Sequence, residues 1–207
     1  MSRGGGDAVI FRSPRWDEVD YWALDLETSG LQPRRHQILS VGMVPLRNGS
    51  IEWGGHDYTL VRPELTDDLD RNALGVHQIL PGELEGAPPL SEVMDRIHER
   101  LGSGAALIVH HAPFDVGFLK RAFRTIGMRW PRPPIVDTRL LVARVEERIQ
   151  RLEPYAPPLP RSLTALCTMF GLPPFEAHHA LGDALATAQL FLALRARLGA
   201  KTLRQLR

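Results

Sequence analysis

The sequence predicts a mixed α/β fold built on one central sheet. Strand-like segments come first and alternating helices and strands follow, an order that is typical of layered α/β domains. Residues 21–27 form a nearly continuous apolar run, which indicates a central strand buried on both faces. Asn48 and Gly49 separate two further strand-like segments, residues 38–46 and 51–61, and Asn-Gly is a strong hairpin turn. We therefore predict that the first three strands form an antiparallel meander.

Beyond residue 90 the apolar spacing becomes that of helices interrupted by short strands. The predicted strands are residues 106–109 and 135–136, both short apolar runs. Ser162 suits the N-cap position of a helix. The predicted helices cover residues 90–101, 114–126, 140–150, 162–170 and 180–198.

Length and composition indicate one globular domain. The chain has 207 residues, 43% of them hydrophobic and 24% charged, which supports a full core and argues against global disorder. We expect a tail over residues 1–19, the domain over residues 20–198 and a basic tail over residues 199–207. The single cysteine, Cys167, excludes a disulfide framework. No apolar run approaches the roughly 20 residues that span a bilayer, and the polar start does not resemble a secretory signal, so we expect a cytoplasmic protein without membrane contact.

Basic residues are clustered along the chain, although the net charge is only +1. Residues 120–132 and residues 195–207 each contain five basic residues and no acidic one. Such segments can follow a phosphate backbone, and they can equally be the solvated faces of helices. Both interpretations are open at this point.

Acidic residues at apolar positions are the most informative feature of the sequence. Asp25 and Glu27 lie in the most hydrophobic predicted strand, and their spacing of two directs both side chains to one face. Two like charges there repel each other and lose hydration, and a bound cation removes both penalties. The alternative is that Asp25 caps a loop and Glu27 is exposed at the end of the strand.

Two further acids stand near the starts of predicted helices. Asp115 leads into the apolar face of its helix, and Asp183 heads a mostly inward stripe five residues after His178. Each acid alone is compatible with a surface position at a helix N-terminus. Together, the acids indicate a site for Mg²⁺ or Mn²⁺, which favour oxygen ligands. Two such ions support phosphodiester hydrolysis, with a nearby histidine accepting the proton of the attacking water.

Three motifs carry a family resemblance: residues 25–30, residues 110–119 and residues 178–184. In order and internal spacing they resemble the exonuclease motifs of the DnaQ-like DEDDh family, and in particular the DNA polymerase III epsilon-subunit-like exonucleases. The resemblance covers roughly residues 20–198. It implies a ribonuclease H-like fold, in which three antiparallel strands are followed by parallel strands flanked by helices, and it implies 3′→5′ exonuclease activity.

The resemblance also implies roles for individual residues. Four carboxylates match the family's ligands for two Mg²⁺ or Mn²⁺ ions: Asp25, Glu27, Asp115 and Asp183. His178 matches the general base, whereas His179 falls at a variable position. Candidate contacts with the 3′ end of the substrate are Thr28, Leu31, Val76, His77 and Phe114.

The substrate candidates differ in their implied roles. The backbone near Thr28 would contact the terminal hydroxyl, and Leu31 would wedge against the last bases. For Val76 and His77, packing within a loop is the alternative to substrate contact.

Three positions carry separate expectations. Asp137 is either the N-cap of a helix or a support for a metal ligand. His111 stands where the family often has Asn, and Gln78 stands where Gly is common. We expect His111 to affect substrate contact or pH response, and Gln78 to affect the shape of its loop.

The implied substrate is the 3′ end of single-stranded or frayed DNA, which points to DNA replication and repair with a DNA polymerase as a possible partner. A free-standing enzyme is the alternative to that partner, and RNA is the alternative substrate because the motifs do not separate DNA from RNA. A third hypothesis is a nucleic-acid-binding module that has lost catalysis. It is disfavoured because all five catalytic positions are filled by competent residues.

Overall fold

The computed structural model describes residues 13–64 and 79–207. Within these residues the strands are β1 (Tyr21–Thr28), β2 (Ile38–Arg47), β3 (Ser50–Ile51), β4 (Asp57–Leu60), β5 (Ala106–Val109) and β6 (Ile135–Asp137). The α-helices of the same part of the chain are α1 (Pro81–Glu85), α2 (Leu90–Gly102), α3 (Ala112–Thr125), α4 (Thr138–Leu152), α5 (Leu163–Met169) and α6 (Ala180–Leu198).

The strands form one mixed sheet in the order β3-β2-β1-β5-β6, and β4 also pairs with β2. β1 is antiparallel to β2, and β2 is antiparallel to β3 and β4. β5 is parallel to both β1 and β6. The predicted mixed α/β fold, with antiparallel strands followed by parallel ones, is confirmed. Because β1, β5 and β6 are parallel, their carboxyl ends lie along one edge of the sheet and bring together distant parts of the chain.

The turn between β2 and β3 has the conformation that Asn-Gly favours. Asn48 has a φ of 51° and Gly49 a φ of 73°. Positive φ at both central positions is what a type I′ turn requires, and this turn matches the twist of the paired strands. The predicted hairpin is confirmed.

The prediction of one continuous strand over residues 51–61 is wrong. A 3₁₀ turn, Trp53–Gly55, separates β3 from β4. The carbonyl of Pro45 in β2 accepts a hydrogen bond from the N–H of Glu52 at 2.9 Å, but proline has no N–H to donate in return. The ladder therefore stops at Pro45, and the chain pairs with β2 again as β4.

Strand β1 is buried between two layers of side chains, as its apolar sequence predicts. Tyr21 and Ala23 pack on the side of α6, where the Tyr21 and Phe191 rings lie 5.2 Å apart between centroids. Trp22 and Leu24 pack on the opposite side with residues of α2 and α3. Alternate residues of one strand thus pack in two cores, and burial of these apolar side chains stabilises the domain.

The residues that follow α6 pack onto the domain instead of forming the basic tail predicted for residues 199–207. Leu203 and Leu206 are buried in the same core as α6, and the N–H of Leu203 donates to the carbonyl of Pro14 at 3.1 Å. Trp16, near the N-terminal end of the described residues, also packs here, because its ring centroid lies 4.1 Å from the guanidinium of Arg195. This segment packs because apolar residues are spaced among its cations. Burying those apolar side chains is more favourable than leaving the whole segment in water.

Among the described residues, no helix combines the length and apolar character needed to cross a membrane.

Candidate active site

The first two site carboxylates come from β1, near its carboxyl end. Asp25 pairs with Gly42 of β2, and Glu27 pairs with Ser40. Their spacing of two places them on the same face of the sheet as Tyr21, which is the face covered by α6. The predicted shared face is confirmed, and neither alternative of a loop cap or an exposed strand end applies, since both residues lie within β1 and Glu27 is buried.

The third carboxylate, Asp183, lies in the first turn of α6. This helix approaches the sheet closely because Gly42 has no side chain. A Cβ atom at Gly42 would lie 2.2 Å from the backbone carbonyl of Ala180, which is too close for any other residue. Asp25, Glu27 and Asp183 each offer one carboxylate oxygen, and these oxygens lie within 4.8 Å of one another.

The fourth carboxylate, Asp115, comes from the helix that follows β5. It is buried in the first turn of α3, directly after β5. It does not join the 4.8 Å group of the other three, but it is near enough for its charge to raise the pKa of Asp25. The structure therefore gathers all four predicted acids at one edge of the sheet.

Burial and mutual repulsion make these carboxyls hard to ionise without a counter-charge. Asp25 keeps partial contact with solvent, yet loss of water around its carboxyl raises its pKa well above the usual range, and repulsion by Asp115, Asp183 and Glu27 adds to the shift. Burial likewise raises the pKa of Asp115, although hydrogen bonds from its own backbone and from Leu26 oppose the change. Burial and repulsion by Glu27 raise the pKa of Asp183 to about 6.

The donor set fits a hard divalent cation. The clustered atoms are all carboxylate oxygens, which suit Mg²⁺ and Mn²⁺, and no thiol lies among them. A cation bound between these groups would neutralise the repulsion that raises their pKa values. Asp25, Glu27 and Asp183 can hold such an ion, and Asp115 stands close enough to take part in a second site.

Asp137 supports the site through hydrogen bonds to the backbone. Its carboxylate accepts hydrogen bonds from the backbone N–H groups of His111 at 3.1 Å, Ala112 at 2.8 Å and Arg139 at 2.9 Å. The bond from Arg139 makes Asp137 the N-cap of α4, as one of its two predicted interpretations requires. The other two bonds fix the start of α3, which carries Asp115. Asp137 therefore supports the position of Asp115 as well as capping α4.

His111 occupies a backbone conformation that explains its residue type. Its φ is 85°, in the left-handed region, where Asn, Asp and His are enriched over other side chains. It is the N-cap residue of α3. The Asn that the family often has at this position and the His found here both suit the conformation.

Sequence reasoning missed a role for His110. Its Nδ1 lies 2.8 Å from the Thr138 hydroxyl and its Nε2 lies 3.1 Å from the carbonyl of Arg161. Burial lowers the pKa of this imidazole. The ring thus ties the start of α3 to the start of α4 and to the loop before α5, three segments whose proximity no sequence spacing reveals.

The predicted base, His178, stands exposed beside Asp183. Its backbone N–H donates to Oδ2 of Asp183 at 3.1 Å, and its φ is 62°. The ring of His179 stacks on Tyr58 with centroids 4.4 Å apart. Of the two adjacent histidines, His178 is the more exposed.

The predicted substrate contacts fall in three groups. Leu31 is 80% exposed at the tip of the loop after β1, whereas Thr28 is buried and its hydroxyl donates to the carbonyl of Gly30 at 2.7 Å. Phe114 is half-buried and packs against Phe118 with ring centroids 5.0 Å apart. The remaining candidates lie outside the described residues: Val76, His77 and the neighbouring Gln78.

A mixed sheet with carboxylates from β1, α3 and α6 gathered at the carboxyl edge of its parallel strands defines a domain of the ribonuclease H-like fold class. The profile of the RNase_T exonuclease family matches residues 22–191. The chain therefore belongs to the RNase_T exonuclease family.

Two similar proteins are named for the epsilon subunit of DNA polymerase III. The chain is 35% identical over 202 residues to a DNA polymerase III subunit epsilon-like protein of Rhodobacter capsulatus, covering 96% of this chain and 27% of that protein. It is 30% identical over 176 residues to the DNA polymerase III subunit epsilon of Haemophilus influenzae, covering 82% and 64% respectively. The chain thus spans less than two thirds of the length of either relative. The resemblance to the DnaQ-like exonucleases is confirmed.

Solved structures share the fold. E. coli Exonuclease I in complex with a dA16 oligonucleotide gives a TM-score of 0.74 at 18% identity, covering 87% of this chain and 42% of that chain. Exonuclease X in complex with 5′ overhanging duplex DNA gives a TM-score of 0.66 at 24% identity, covering 90% and 96%. The ribonuclease H-like architecture implied by the motifs is therefore the architecture of the chain.

Proposed function

We propose that this protein is a metal-dependent 3′→5′ exonuclease that removes nucleotides from the ends of single-stranded or frayed DNA. One observation carries the proposal: Asp25, Glu27 and Asp183, from two distant segments, bring carboxylate oxygens within 4.8 Å of one another. Such a cluster of like charges opposes folding unless a cation balances it. Membership of an exonuclease family agrees with this chemistry.

The four carboxylates would hold two Mg²⁺ or Mn²⁺ ions in this proposal, with Asp115 completing the set. When bound, such ions lower the pKa of a coordinated water and stabilise the charge of the leaving oxygen. Asp137 maintains the position of Asp115 by binding the backbone at the start of α3.

His178 acts as the general base in the proposed reaction. The imidazole accepts a proton from water as the water oxygen attacks the last phosphodiester, and the bond from phosphorus to the 3′ oxygen breaks. The products are a nucleoside 5′-monophosphate and a strand that is one nucleotide shorter with a new 3′ hydroxyl. The hydrogen bond from the His178 backbone N–H to Asp183 holds the backbone of this base next to that carboxylate.

The loop after β1 positions the 3′ end in this proposal. Leu31, exposed at its tip, wedges against the last bases, and the backbone near Thr28 contacts the terminal hydroxyl. The half-buried ring of Phe114 is a further proposed contact with the 3′ end. Val76 and His77 remain proposed contacts from the family resemblance alone.

DNA is the favoured substrate, and a DNA polymerase is a possible partner. Support comes from two relatives named for DNA polymerase III epsilon and from two neighbours of the same fold that were solved with DNA. A role in DNA replication and repair follows if the partner is a polymerase. RNA is the competing substrate.

Product analysis on end-labelled strands tests the proposal. Matched DNA and RNA single strands carrying a 5′ label are incubated with and without Mg²⁺. We expect a ladder of strands shortened from the 3′ end, with DNA preferred, only when the metal is present. Asp25→Asn should abolish the ladder, whereas Asp20→Asn should not, because Asp20 is exposed and pairs with Arg47 at 3.3 Å outside the site.

Three results would overturn the proposal: internal cleavage, shortening that survives metal removal, or an active Asp25→Asn variant. Preference for the RNA strand would assign the enzyme to exoribonucleases instead.

A further inference from the structure

A groove rich in arginine lies next to the loop that follows β1. It runs between that loop, the segment after β4 and helix α3. Four arginines line it: Arg34, Arg35, Arg62 and Arg121. The floor between them is apolar and includes Ile38, Val61, Leu90, Phe118 and Ala122.

The charges of this arginine groove are not neutralised by the described part of the chain. All four arginines are exposed, and none forms an ion pair with a described residue. Arg47, Arg100 and Arg161, by contrast, each pair with a carboxylate. The one acidic residue that lines the groove is Glu64, whose backbone N–H donates to the side chain of Gln37 at 2.7 Å.

The arginine groove lies near the candidate active site. Ile38 on its floor pairs with Thr28 at the carboxyl end of β1. Pro33 in its wall packs near Gly117, where a Cβ atom would lie 3.3 Å from the proline ring. Arg121 follows the candidate metal ligand Asp115 by six residues on α3, an axial distance of about 9 Å. A strand whose end reaches the carboxylates therefore has this groove beside it.

We propose that the arginine groove binds the phosphodiester backbone of the substrate strand just upstream of its terminal nucleotide. This inference rests on the exonuclease function proposed above and names where the rest of the strand lies. Guanidinium groups bind phosphate oxygens in a bidentate fashion without reading the bases. The apolar floor accepts sugars and base faces, so the binding is independent of sequence. The enzyme consequently prefers long strands to very short ones.

The other basic segment does not share this location. Residues 195–207 begin near the far end of α6, where Arg195 follows Asp183 by 12 residues, an axial distance of about 18 Å. Arg195 and Arg197 stack on Trp16 and Phe170, which gives them a packing role there. Arg204, exposed in this segment, is therefore a matched control for the loss of one surface arginine.

Binding and turnover together test the inference. Arg34→Gln, Arg62→Gln and Arg121→Gln are made singly and combined, with Arg204→Gln as the control. Binding of a fluorescent single-stranded oligothymidylate is measured in EDTA over a range of salt concentrations. We expect each groove substitution to weaken binding and to reduce the slope of log affinity against log salt by about 0.7, the value for one lost phosphate contact on a single strand. The control should change neither.

A small substrate separates this inference from the proposed function. The p-nitrophenyl ester of thymidine 5′-monophosphate reaches the carboxylates without occupying the groove. We expect the combined variant to hydrolyse it at the rate of the unsubstituted protein with Mg²⁺, while the KM for a long strand rises at least tenfold. If the unsubstituted protein hydrolyses neither substrate, the proposed function fails while the binding experiment still reports on the groove.

Two outcomes would overturn the inference. In the first, the combined variant keeps the salt slope and the affinity of the unsubstituted protein. In the second, the groove binds polyglutamate and the same substitutions weaken that binding without affecting the oligonucleotide, which would assign the surface to an acidic protein partner.

Discussion

Single residues of this domain acquire their chemistry from where the fold holds them. Asp25 and Glu27 were predictable because an alternating pattern in one strand fixes which side chains share a face. Their proximity to Asp183 was predicted from the shared chemistry of the acids and from the family resemblance, since spacing along the chain says nothing about two segments more than 150 residues apart in a sheet and a helix. The N-cap bond of Asp137 follows from its position before a predicted helix, whereas spacing along the chain could not show the two bonds that reach the start of α3.

His178 provides the sharpest prediction at the scale of one residue. His178→Ala should lower kcat by about 10²–10⁴-fold, because the water loses its proton acceptor, while the affinity for Mn²⁺ stays unchanged. The rate of the unsubstituted enzyme at saturating metal should depend on pH, and His178→Ala should remove that dependence. Steady-state kinetics across pH, with metal binding measured separately, check both expectations.

His179→Ala is the matched control for that substitution. Because its ring is held by stacking on Tyr58, its loss should leave the shape of the pH–rate profile intact. A normal rate for His178→Ala, or an altered profile in His179→Ala alone, would assign the base elsewhere.

At the scale of elements, local signals predicted most boundaries and failed where one strand depends on its neighbour. The Asn-Gly hairpin and the helix over residues 180–198 follow from turn chemistry and apolar spacing, and both are observed. The break between β3 and β4 depends on Pro45, which lies in the partner strand β2. A pattern within residues 51–61 could not show that a hydrogen-bond donor is missing across the ladder.

The approach of α6 to the sheet depends on Gly42. Gly42→Ala should destabilise the protein by about 1–3 kcal/mol, because the new methyl group meets the Ala180 backbone and pushes the helix away. The same shift moves Asp183 from Asp25, so nuclease activity should fall as well. Chemical denaturation checks the first effect and the rate of strand shortening the second.

Gly54→Ala is the control, since no atom lies within 4 Å of a Cβ placed there. It should change stability by no more than about 0.5 kcal/mol. A Gly42→Ala protein with unchanged stability and rate would show that the close contact does not position Asp183.

Asp137 links α3 to α4, and its removal should be felt in both. Asp137→Ala leaves three backbone N–H groups without their acceptor and should cost about 1–3 kcal/mol of unfolding free energy. Ser162→Ala, at the start of α5, removes a longer cap of 3.4 Å and should cost roughly 1 kcal/mol or less. Denaturation curves of the two variants would contradict the argument if Ser162→Ala were the more damaging.

For the whole molecule, the raised carboxyl pKa values couple stability to pH and to metal. A carboxyl whose pKa is higher in the folded state holds its proton there after the unfolded chain has lost it, so stability falls as pH rises through that interval. For Asp183 the interval runs from its ordinary value of 3.8 to about 6, and the raised pKa values of Asp25 and Asp115 extend the loss further.

Thermal unfolding without divalent ions should therefore show Tm falling as pH rises through this range. Adding Mn²⁺ should restore Tm, and the restoration should grow with pH because the ion binds the ionised form. Asp183→Asn should flatten the dependence, whereas the exposed Asp20→Asn should not. A metal-free Tm that increases steadily with pH would contradict the raised pKa values of these carboxyls.

Calorimetric titration with Mn²⁺ tests most directly whether the four carboxylates form a cation site. We expect saturable binding to the unsubstituted protein. Because carboxyls with raised pKa values release protons as the ion binds, the measured heat should also depend on the buffer. Asp25→Asn should lose this binding and Asp20→Asn should keep it. Absence of saturable binding, or binding that survives Asp25→Asn unchanged, would show that the four carboxylates do not form a cation site.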